Sequence, residues 1–363
     1  MAIDRTREAW QLLRKMLDDM AVVVEEDSET DLERLEGLRV LGRVTAMALE
    51  LSLDVDADAP RFFSMNTPAR FVGGPNPDGE YHLAMMDGRR RGYRVTGSRG
   101  TTVYLGFQIL AGIGLTPRRM ATNVPDRDLP LAADGTFSLV FAAVEPSADV
   151  LDGATWVPIP QDASALVVRE YFANRLTEAP ARLVIEPLEP AAAPALPTDD
   201  SIAELLTSIA FTIAKMFTLH RTVKPEMLDH PNEFLTAEGE ELGSENTTPD
   251  NLYMIGSWRL ADDEALVLEL EPPATRFWNV TLANVWHECI EPRRRPSSLT
   301  SAAAVAGPGG RVRIVVAREN PGAANWLDTG GRHRGFMVVR WLDNPAAPPV
   351  STSVVPLSEA ADG

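Results

Sequence analysis

The segment around Trp286 carries residue types that bind sugars and related organic ligands. Asn284, Trp286 and Glu288 are alternate residues, and alternate residues of a β-strand point to one face of the sheet. We therefore predict a strand from Phe277 to His287 that presents these three side chains together at its end. A tryptophan beside a carboxylate suits sugar binding, because the ring stacks on the sugar and the acid bonds its hydroxyl groups.

Three carboxylates are candidates for general acid and base catalysis. Glu288 and Glu291 lie close together, and Asp328 follows Trp326, which like Trp286 is a predicted pocket residue. Two carboxylates that face one space could protonate a leaving group and activate water, as in glycoside hydrolysis. These residues predict a metal-independent hydrolase that acts on glycosidic or related bonds. The alternative is that Trp286 caps the core while the carboxylates form surface ion pairs with neighbouring arginines.

Arginine side chains are the predicted anchors for an anionic ligand, because a guanidinium group binds carboxylate, sulfate or phosphate through paired hydrogen bonds. Arg293 begins one of three basic clusters, and Arg340 lies inside an apolar strand. A buried arginine needs a partner, which for Arg340 is either a protein carboxylate such as Asp343 or a ligand. The alternative is that the clusters are solvated hairpin tips. They are Arg89–Arg91, Arg293–Arg295 and Arg332–Arg334.

The sequence predicts neither a cofactor nor a metal. It contains no Gly-x-Gly-x-x-Gly, no Gly-Lys-Ser/Thr and no Gly-x-Ser-x-Gly motif, which weighs against nucleotide cofactors and an α/β-hydrolase nucleophile. The five histidines form no metal-binding motif. The single cysteine, Cys289, excludes an internal disulfide and a multi-cysteine zinc site.

Two regions of short apolar runs, bounded by Gly, Asp and Pro, predict antiparallel β-strands that would position these residues. Both regions contain the same landmarks in the same order and at nearly equal spacing. The landmarks are Tyr81, Trp156 and Arg169 in the first region, and Tyr253, Trp326 and Arg340 in the second. The predicted fold class is therefore mainly β with helical segments (α+β), with two related antiparallel β-sandwich or jelly-roll-like halves, each preceded by helix.

Amphipathic patterns predict the helices that precede each half. Apolar residues recur at three- and four-residue steps from Trp10 to Met20 and from Ile202 to Phe217. Prolines between these regions indicate a stiff linker. The predicted organisation is an N-terminal helical segment (1–58), a first β-sandwich half (59–186), a Pro/Ala-rich linker (187–200), an amphipathic helix with an acidic loop (201–248), a second β-sandwich half (249–357) and a tail (358–363).

Four segments of the second half carry a family resemblance. They are Arg276–Leu282, Asn320–Pro321, Asn325–Leu327 and Gly335–Trp341. With these segments the second half resembles a bacterial family known only as domain of unknown function 1214, and the first half resembles it more loosely through Trp156 and Val168–Tyr171. The resemblance implies a mostly antiparallel β-sandwich and no established activity. It therefore transfers no catalytic residue.

Composition and net charge weigh against certain classes of binding partner. The chain has 363 residues and a formal net charge of −18, which weighs against nucleic acid and anionic membranes, because binding to them requires neutralisation of phosphates. No run approaches the roughly 20 apolar residues that cross a bilayer, and the first residues do not resemble a signal peptide. We therefore expect a cytoplasmic protein that does not associate with membranes.

The function predicted from these observations is binding of a small organic ligand that is anionic or sugar-like, with hydrolysis of glycosidic or related bonds as its enzymatic form. The alternative is a non-catalytic ligand-binding or subunit-assembly protein, which could form a homo-oligomer. The sequence leaves open whether the protein is an enzyme. An enzyme requires two titratable groups that face one partly buried space, whereas an assembly protein requires an exposed apolar surface.

Overall fold

The chain forms a layer of helices and two β-sandwiches. The computed structural model describes residues 3–67, 69–89, 92–112, 118–190, 193, 195–237, 247–343 and 348–361. The long helices are α1 (Asp4–Asp27), α2 (Asp31–Leu53) and α4 (Asp199–Phe217), and the short helices are α3 (Ala148–Leu151) and α5 (Pro225–Asp229). Within these described ranges, no helix combines the length and the apolar character that a membrane span requires.

The first β-sandwich consists of a five-stranded and a four-stranded sheet. Its strands are β1 (Phe63–Ser64), β2 (Gly79–Met85), β3 (Tyr93–Ser98), β4 (Tyr104–Ala111), β5 (Arg119–Val124), β6 (Thr136–Ala142), β7 (Thr155–Pro158), β8 (Ala163–Tyr171) and β9 (Arg182–Pro187). The strand orders are β1-β2-β8-β4-β5 and β7-β6-β3-β9. Phe107, Phe141 and Val168 are fully buried in the core between the sheets, as the alternation of apolar side chains along the strands requires.

The second β-sandwich repeats the first strand for strand. Its strands are β10 (Leu235–Ala237), β11 (Asn251–Arg259), β12 (Glu264–Leu270), β13 (Trp278–Ala283), β14 (Ser298–Thr300), β15 (Val312–Ala317), β16 (Trp326–Asp328), β17 (Arg334–Leu342) and β18 (Val350–Pro356). Their orders are β10-β11-β17-β13-β14 and β16-β15-β12-β18. The same nine-strand topology in both halves confirms the predicted fold of two related sandwiches.

The repeat extends to the pairing of individual residues. Tyr81 of β2 lies opposite Arg169 of β8, and Tyr253 of β11 lies opposite Arg340 of β17. The landmarks are therefore cross-strand neighbours in equivalent positions of the two five-stranded sheets. One feature differs from the predicted antiparallel pattern, since β6 pairs with β7 and β15 pairs with β16 in parallel.

The prediction of a strand from Phe277 to His287 is wrong about where the strand ends. Strand β13 stops at Ala283, because the side-chain Oδ1 of Asn284 accepts hydrogen bonds from the backbone N–H groups of Trp286 and Glu288, both at 3.0 Å. Such a local turn competes with the sheet hydrogen bonds. The residues directly after Ala283 therefore do not continue the strand, and the predicted alternation of their side chains between the two faces of the sheet is absent.

Two of the three basic clusters do not lie at the tips of hairpins. Strands β2 and β3, and strands β16 and β17, belong to different sheets, so the connections between them cross from one sheet of a sandwich to the other. Arg89 lies in the first of these connections, and Arg90 and Arg91 lie outside the described residues. For these two clusters the hairpin interpretation failed because turn residues also occur in connections between sheets. The cluster Arg293–Arg295 does lie in a connection between antiparallel neighbours of one sheet, β13 and β14.

The three long helices pack into one layer with its own apolar core. Leu13 of α1, Val44 of α2 and Ile209 of α4 are buried in this core. The start of α1 is held to α4, because the backbone N–H of Thr6 donates to Asp199 at 2.9 Å. Thr198 caps α4 through a reciprocal hydrogen-bond pair with Ser201.

Candidate functional site

A small cleft is lined by residues from both halves of the chain. Its volume is about 240 Å³, which is smaller than the roughly 300–1,000 Å³ of pockets for drug-sized ligands. The lining residues are Ser64, Asn66, Thr67, Phe71, Gly79, Glu80, Arg175 and Arg293. The cleft therefore has the size and polarity for a ligand of a few carbon atoms.

The guanidinium group of Arg175 is held in a fixed position beside the cleft. Arg175 follows β8, and its Nη1 donates to Glu80 Oε1 at 2.9 Å. Its Nη2 donates to the backbone oxygens of Pro77 at 3.1 Å and Gly79 at 2.9 Å. The same group lies 4.4 Å from the ring centre of Phe172. These contacts orient the charge of Arg175 before any ligand binds.

Two donors in the cleft have no acceptor among the described residues. Arg293, in the loop between β13 and β14, makes no hydrogen bond or ion pair within those ranges, and its guanidinium carbon lies 5.8 Å from the ring centre of Phe71. The side-chain Nδ2 of Asn66 is buried and is likewise without a partner in that part of the chain. A buried donor without an acceptor costs free energy, which applies to the Asn66 amide, whereas Arg293 is exposed and water can solvate its guanidinium group. Both groups can donate to an external acceptor.

A cluster of titratable side chains lies next to the cleft. Glu80 of β2 is directly opposite Glu170 of β8, and His82 Nε2 lies 3.8 Å from Glu80 Oε2 and 3.7 Å from Glu170 Oε1. Glu170 is fully buried. Its Oε2 accepts from the backbone N–H of Ala181 at 2.8 Å and from the hydroxyl of Thr102 at 3.3 Å. Two carboxylates thus flank one imidazole.

The same region contains the junction between the two halves. Asn279 Nδ2 donates to Asp78 Oδ2 at 2.8 Å and to Asn76 Oδ1 at 2.6 Å, and the Ser298 hydroxyl also donates to Asp78. Burial raises the pKa of the Asp78 carboxyl despite these hydrogen bonds. Nowhere in the described ranges do three or more His, Cys, Asp or Glu residues form a group that could hold a metal ion.

Arg293 is the only predicted site residue that lines the cleft. Glu288, with 2% of its side chain exposed, forms ion pairs with Arg39 at 2.6 Å and with Arg43. Both arginines project from α2, so this carboxylate holds the helical layer to the second half.

The other two predicted acids lie elsewhere. Asp328 is buried and accepts hydrogen bonds at 2.6 Å from Arg295 Nη1 and from the backbone N–H of Gly330. Glu291 is exposed and has a positive φ of 42°. Neither residue lines the cleft: Asp328 is the last residue of β16, and Glu291 belongs to the loop between β13 and β14.

The predicted ligand-binding tryptophans take part in internal packing. Trp286 is 3% exposed, stacks on Phe217 with ring centres 5.3 Å apart, and donates its indole N–H to the Glu33 backbone oxygen at 2.9 Å. Trp326 is half-buried and donates its indole N–H to Ala317 at 3.1 Å. Asn284, as described above, forms the turn before Trp286.

Arg340 lies at the junction of the two halves. Its Nη1 donates to the Thr281 hydroxyl at 3.0 Å, and its Nη2 donates to the backbone oxygen of Gly74 in the first half at 3.1 Å. Asp343, the suggested partner, instead accepts from Arg276 at 2.7 Å. No sequence motif connects Asn66, Glu80 and Arg175, so none of them was predicted as a site residue. The only signal was the position of Glu80 directly before the landmark Tyr81.

The imidazole of His287 predicts a pH dependence of stability. It stacks on Phe336 with ring centres 4.1 Å apart, and burial lowers its pKa to about 3. An unfolded histidine has a pKa of about 6.5, so between these two values the unfolded chain binds a proton that the folded chain does not. The free energy of unfolding contributed by this group therefore falls as the pH is lowered from about 6.5 towards 3.

This dependence can be measured by urea unfolding of the wild type and of His287→Asn between pH 4 and 6.5. Asparagine is suitable because it tolerates the positive φ of 55° at this position. We expect a shallower pH slope in His287→Asn and an unchanged slope in His333→Gln, whose side chain is 52% exposed. Equal slopes in the wild type and His287→Asn would show that His287 is not held neutral by burial.

Comparisons with known proteins agree with this fold. A family model described as "Protein of unknown function (DUF1214)" matches residues 259–346. The crystal structure of an uncharacterised protein from Burkholderia cenocepacia is similar over 98% of this chain and 99% of its own, with 31% sequence identity and a TM-score of 0.90. No curated protein matches the chain.

A second crystal structure, of a protein from Vibrio parahaemolyticus, is similar over 86% of this chain and 97% of its own, with 12% identity and a TM-score of 0.52. At that identity the likeness concerns the fold alone. The family model matches within the second half, and the match to the Burkholderia protein extends over both halves. The second half of the chain therefore contains the region described as DUF1214, and over its whole length the chain is related to the uncharacterised Burkholderia protein.

Proposed function

We propose that the protein binds a small organic anion in the cleft between its two halves. The observation that supports this most strongly is the guanidinium group of Arg293, which lines the cleft without a protein acceptor in the described ranges. Arg175 lines the same cleft, and only one carboxylate, Glu80, is present to balance the two positive charges. A carboxylate ligand would match the paired donors of a guanidinium group.

The composition of the cleft favours an anion over a sugar. Sugar sites use aromatic rings as stacking surfaces, and the one aromatic residue among the lining residues, Phe71, lies beneath Arg293. Catalysis has less support than binding. Glu288 and Asp328 are each engaged by arginine, and hydrolysis would need a second carboxylate that faces the same space as Glu80.

The proposal predicts that Arg293→Gln loses most of the affinity for small anions. A ligand that binds only the folded protein raises its melting temperature, so the wild type is screened against acetate, pyruvate, succinate and methanesulfonate. Loss of a charged hydrogen bond is worth about 1.5–3 kcal/mol, which corresponds to at least a tenfold weaker Kd. Arg294→Gln, an exposed neighbour outside the cleft, is the matched control. Equal stabilisation of the wild type and Arg293→Gln would refute the proposed site.

Subunit assembly is the second candidate function, because α2 exposes leucine side chains. Leu35 is 69% and Leu38 is 48% exposed, and they lie three residues apart on one helical face. We propose that this face meets its own copy around a two-fold axis, as in most homodimers.

Light scattering should then give twice the chain mass of 39.6 kDa, and Leu38→Glu should restore the monomer. Leu176→Glu, 96% exposed and outside α2, is the control. A monomeric wild type at tens of micromolar would exclude this function.

A further inference from the structure

We propose that the cleft takes up its anion together with one proton, which His82 holds between Glu80 and Glu170. This inference rests on the proposed binding of an organic anion and adds the form in which the ligand is bound. The inferred ligand class is a small carboxylate, whose single negative charge is balanced by a proton that the solvent supplies and the protein carries.

The first support is the position of His82 between two carboxylates. The Nε2 atom lies within 3.7–3.8 Å of an oxygen of each. Glu170 is fully buried, and its Oε1, the atom nearest to His82, has no hydrogen-bond donor among the described residues. A buried carboxylate oxygen without a donor is unfavourable. A protonated imidazole would supply a positive charge where this oxygen needs one.

The second support is the balance of charge around His82. Glu80 projects from the same strand, Glu170 projects from β8, and Arg175 reaches Glu80 from the segment that follows β8. Two negative charges and one positive charge leave a deficit of one positive charge when His82 is neutral. A proton on His82 removes this deficit.

The remaining neighbours do not change this balance. On β1 the residue opposite His82 is Ser64, which does not titrate. The Thr102 hydroxyl contacts Glu170, and beyond it Arg99 is paired with Asp126 at 3.1 Å. Asp126 also pairs with Arg276, which pairs with Asp343, so these four side chains are neutral together. The charges next to His82 are therefore those of Glu80, Glu170 and Arg175.

Anion binding involves Arg175, which is the one positively charged side chain among Glu80, Glu170 and Arg175. Arg175 lines the cleft and also neutralises Glu80. An anion in the cleft shares the charge of Arg175, so the two carboxylates are then less well compensated and attract a proton to His82 more strongly. Because coupling between two binding events is reciprocal, a protonated His82 must in turn strengthen anion binding.

The test measures both the affinity and the number of protons taken up. Methanesulfonate is the probe, because it stays ionised at every pH used, so that only the protein titrates. Calorimetric titrations are done at pH 5.5, 6.5 and 7.5 in bis-Tris and in imidazole, two cationic buffers that do not compete for an anion site. Uptake of one proton makes Kd rise by up to about tenfold per pH unit, and the heat of binding then differs between the buffers.

The variants separate this coupling from a purely structural role. His82→Gln should bind methanesulfonate with a Kd that does not depend on pH and with the same heat in both buffers. Glu170→Gln, which keeps Glu80 beside His82, should show a weaker pH dependence than the wild type. His333→Gln should retain the pH dependence of the wild type. If Glu170→Gln does not fold, His82→Gln decides alone.

Two outcomes would overturn the inference in different ways. If the wild type binds methanesulfonate with the same Kd at all three pH values and takes up no proton, the proton coupling is wrong while the anion site stands. If the wild type binds neither methanesulfonate nor any carboxylate of the panel at any pH, the proposed function and this inference both fail.

Discussion

Glu288→Ala is expected to lower the free energy of unfolding by about 2–3 kcal/mol. Removing one partner of a buried ion pair costs about 3–5 kcal/mol, because the other charge is left uncompensated. Here the carboxylate is buried, but the side chains of Arg39 and Arg43 are 38% and 31% exposed, so water can solvate part of the charge that remains. Glu36 also pairs with Arg39 at 3.0 Å, which retains some of the compensation.

Urea unfolding of matched variants measures this contribution. Glu288→Gln keeps the shape and some hydrogen bonding and should lie between the wild type and Glu288→Ala. Glu291→Gln changes an exposed carboxylate in the same loop and should stay within about 0.5 kcal/mol of the wild type. If Glu288→Ala and Glu291→Gln have the same effect, Glu288 does not hold the helical layer in place.

Gly37→Leu is expected to destabilise the packing of α2 by about 3 kcal/mol or more. A Cβ atom at Gly37 would lie 2.7 Å from Val24 Cγ1 and 2.8 Å from Trp286 Cζ2. Both neighbours are buried, and overpacking of such a contact costs about 1–3 kcal/mol or more. The glycine therefore permits the close approach of α1, α2 and the loop that carries Trp286.

The same helix provides the control for Gly37. At Gly42 an added Cβ atom would meet nothing within 4 Å, so Gly42→Ala should stabilise the helix by about 0.5–1 kcal/mol through its higher helix propensity. Thermal unfolding should move in opposite directions for Gly37→Leu and Gly42→Ala. A melting temperature of Gly37→Leu equal to that of the wild type would contradict the observed packing.

The architecture was predictable because it leaves periodic and repeated signals in the sequence. Alternating apolar residues mark strands whose inner face is buried, and the duplication repeats these marks in the same order. Tyr81 with Arg169 and Tyr253 with Arg340 were recognisable as landmarks because their order and spacing recur in the two halves. In the structure each pair occupies one cross-strand position. The strand end at Ala283 was not predictable by periodicity, because the side chain of Asn284 ends the sheet through local hydrogen bonds.

Most of the candidate site was not predictable, because its parts come from distant segments. Arg293 belongs to the second half, whereas Glu80 and Arg175 belong to the first, and no motif joins them. The partners of Glu288 were hidden for the same reason, since Arg39 lies 249 positions away in the chain. A single sequence shows which residues can bind an anion, but the fold decides which of them share a cleft.

The measurement that tests anion binding most directly is a crystal structure with a small bromine-labelled carboxylate, such as bromodifluoroacetate, located by anomalous scattering. The account predicts a bromine peak in the cleft, with the carboxylate within hydrogen-bonding distance of Arg293, and no such peak in crystals of Arg293→Gln. A peak only at other places on the protein, or an identical peak in Arg293→Gln, would contradict the proposed site.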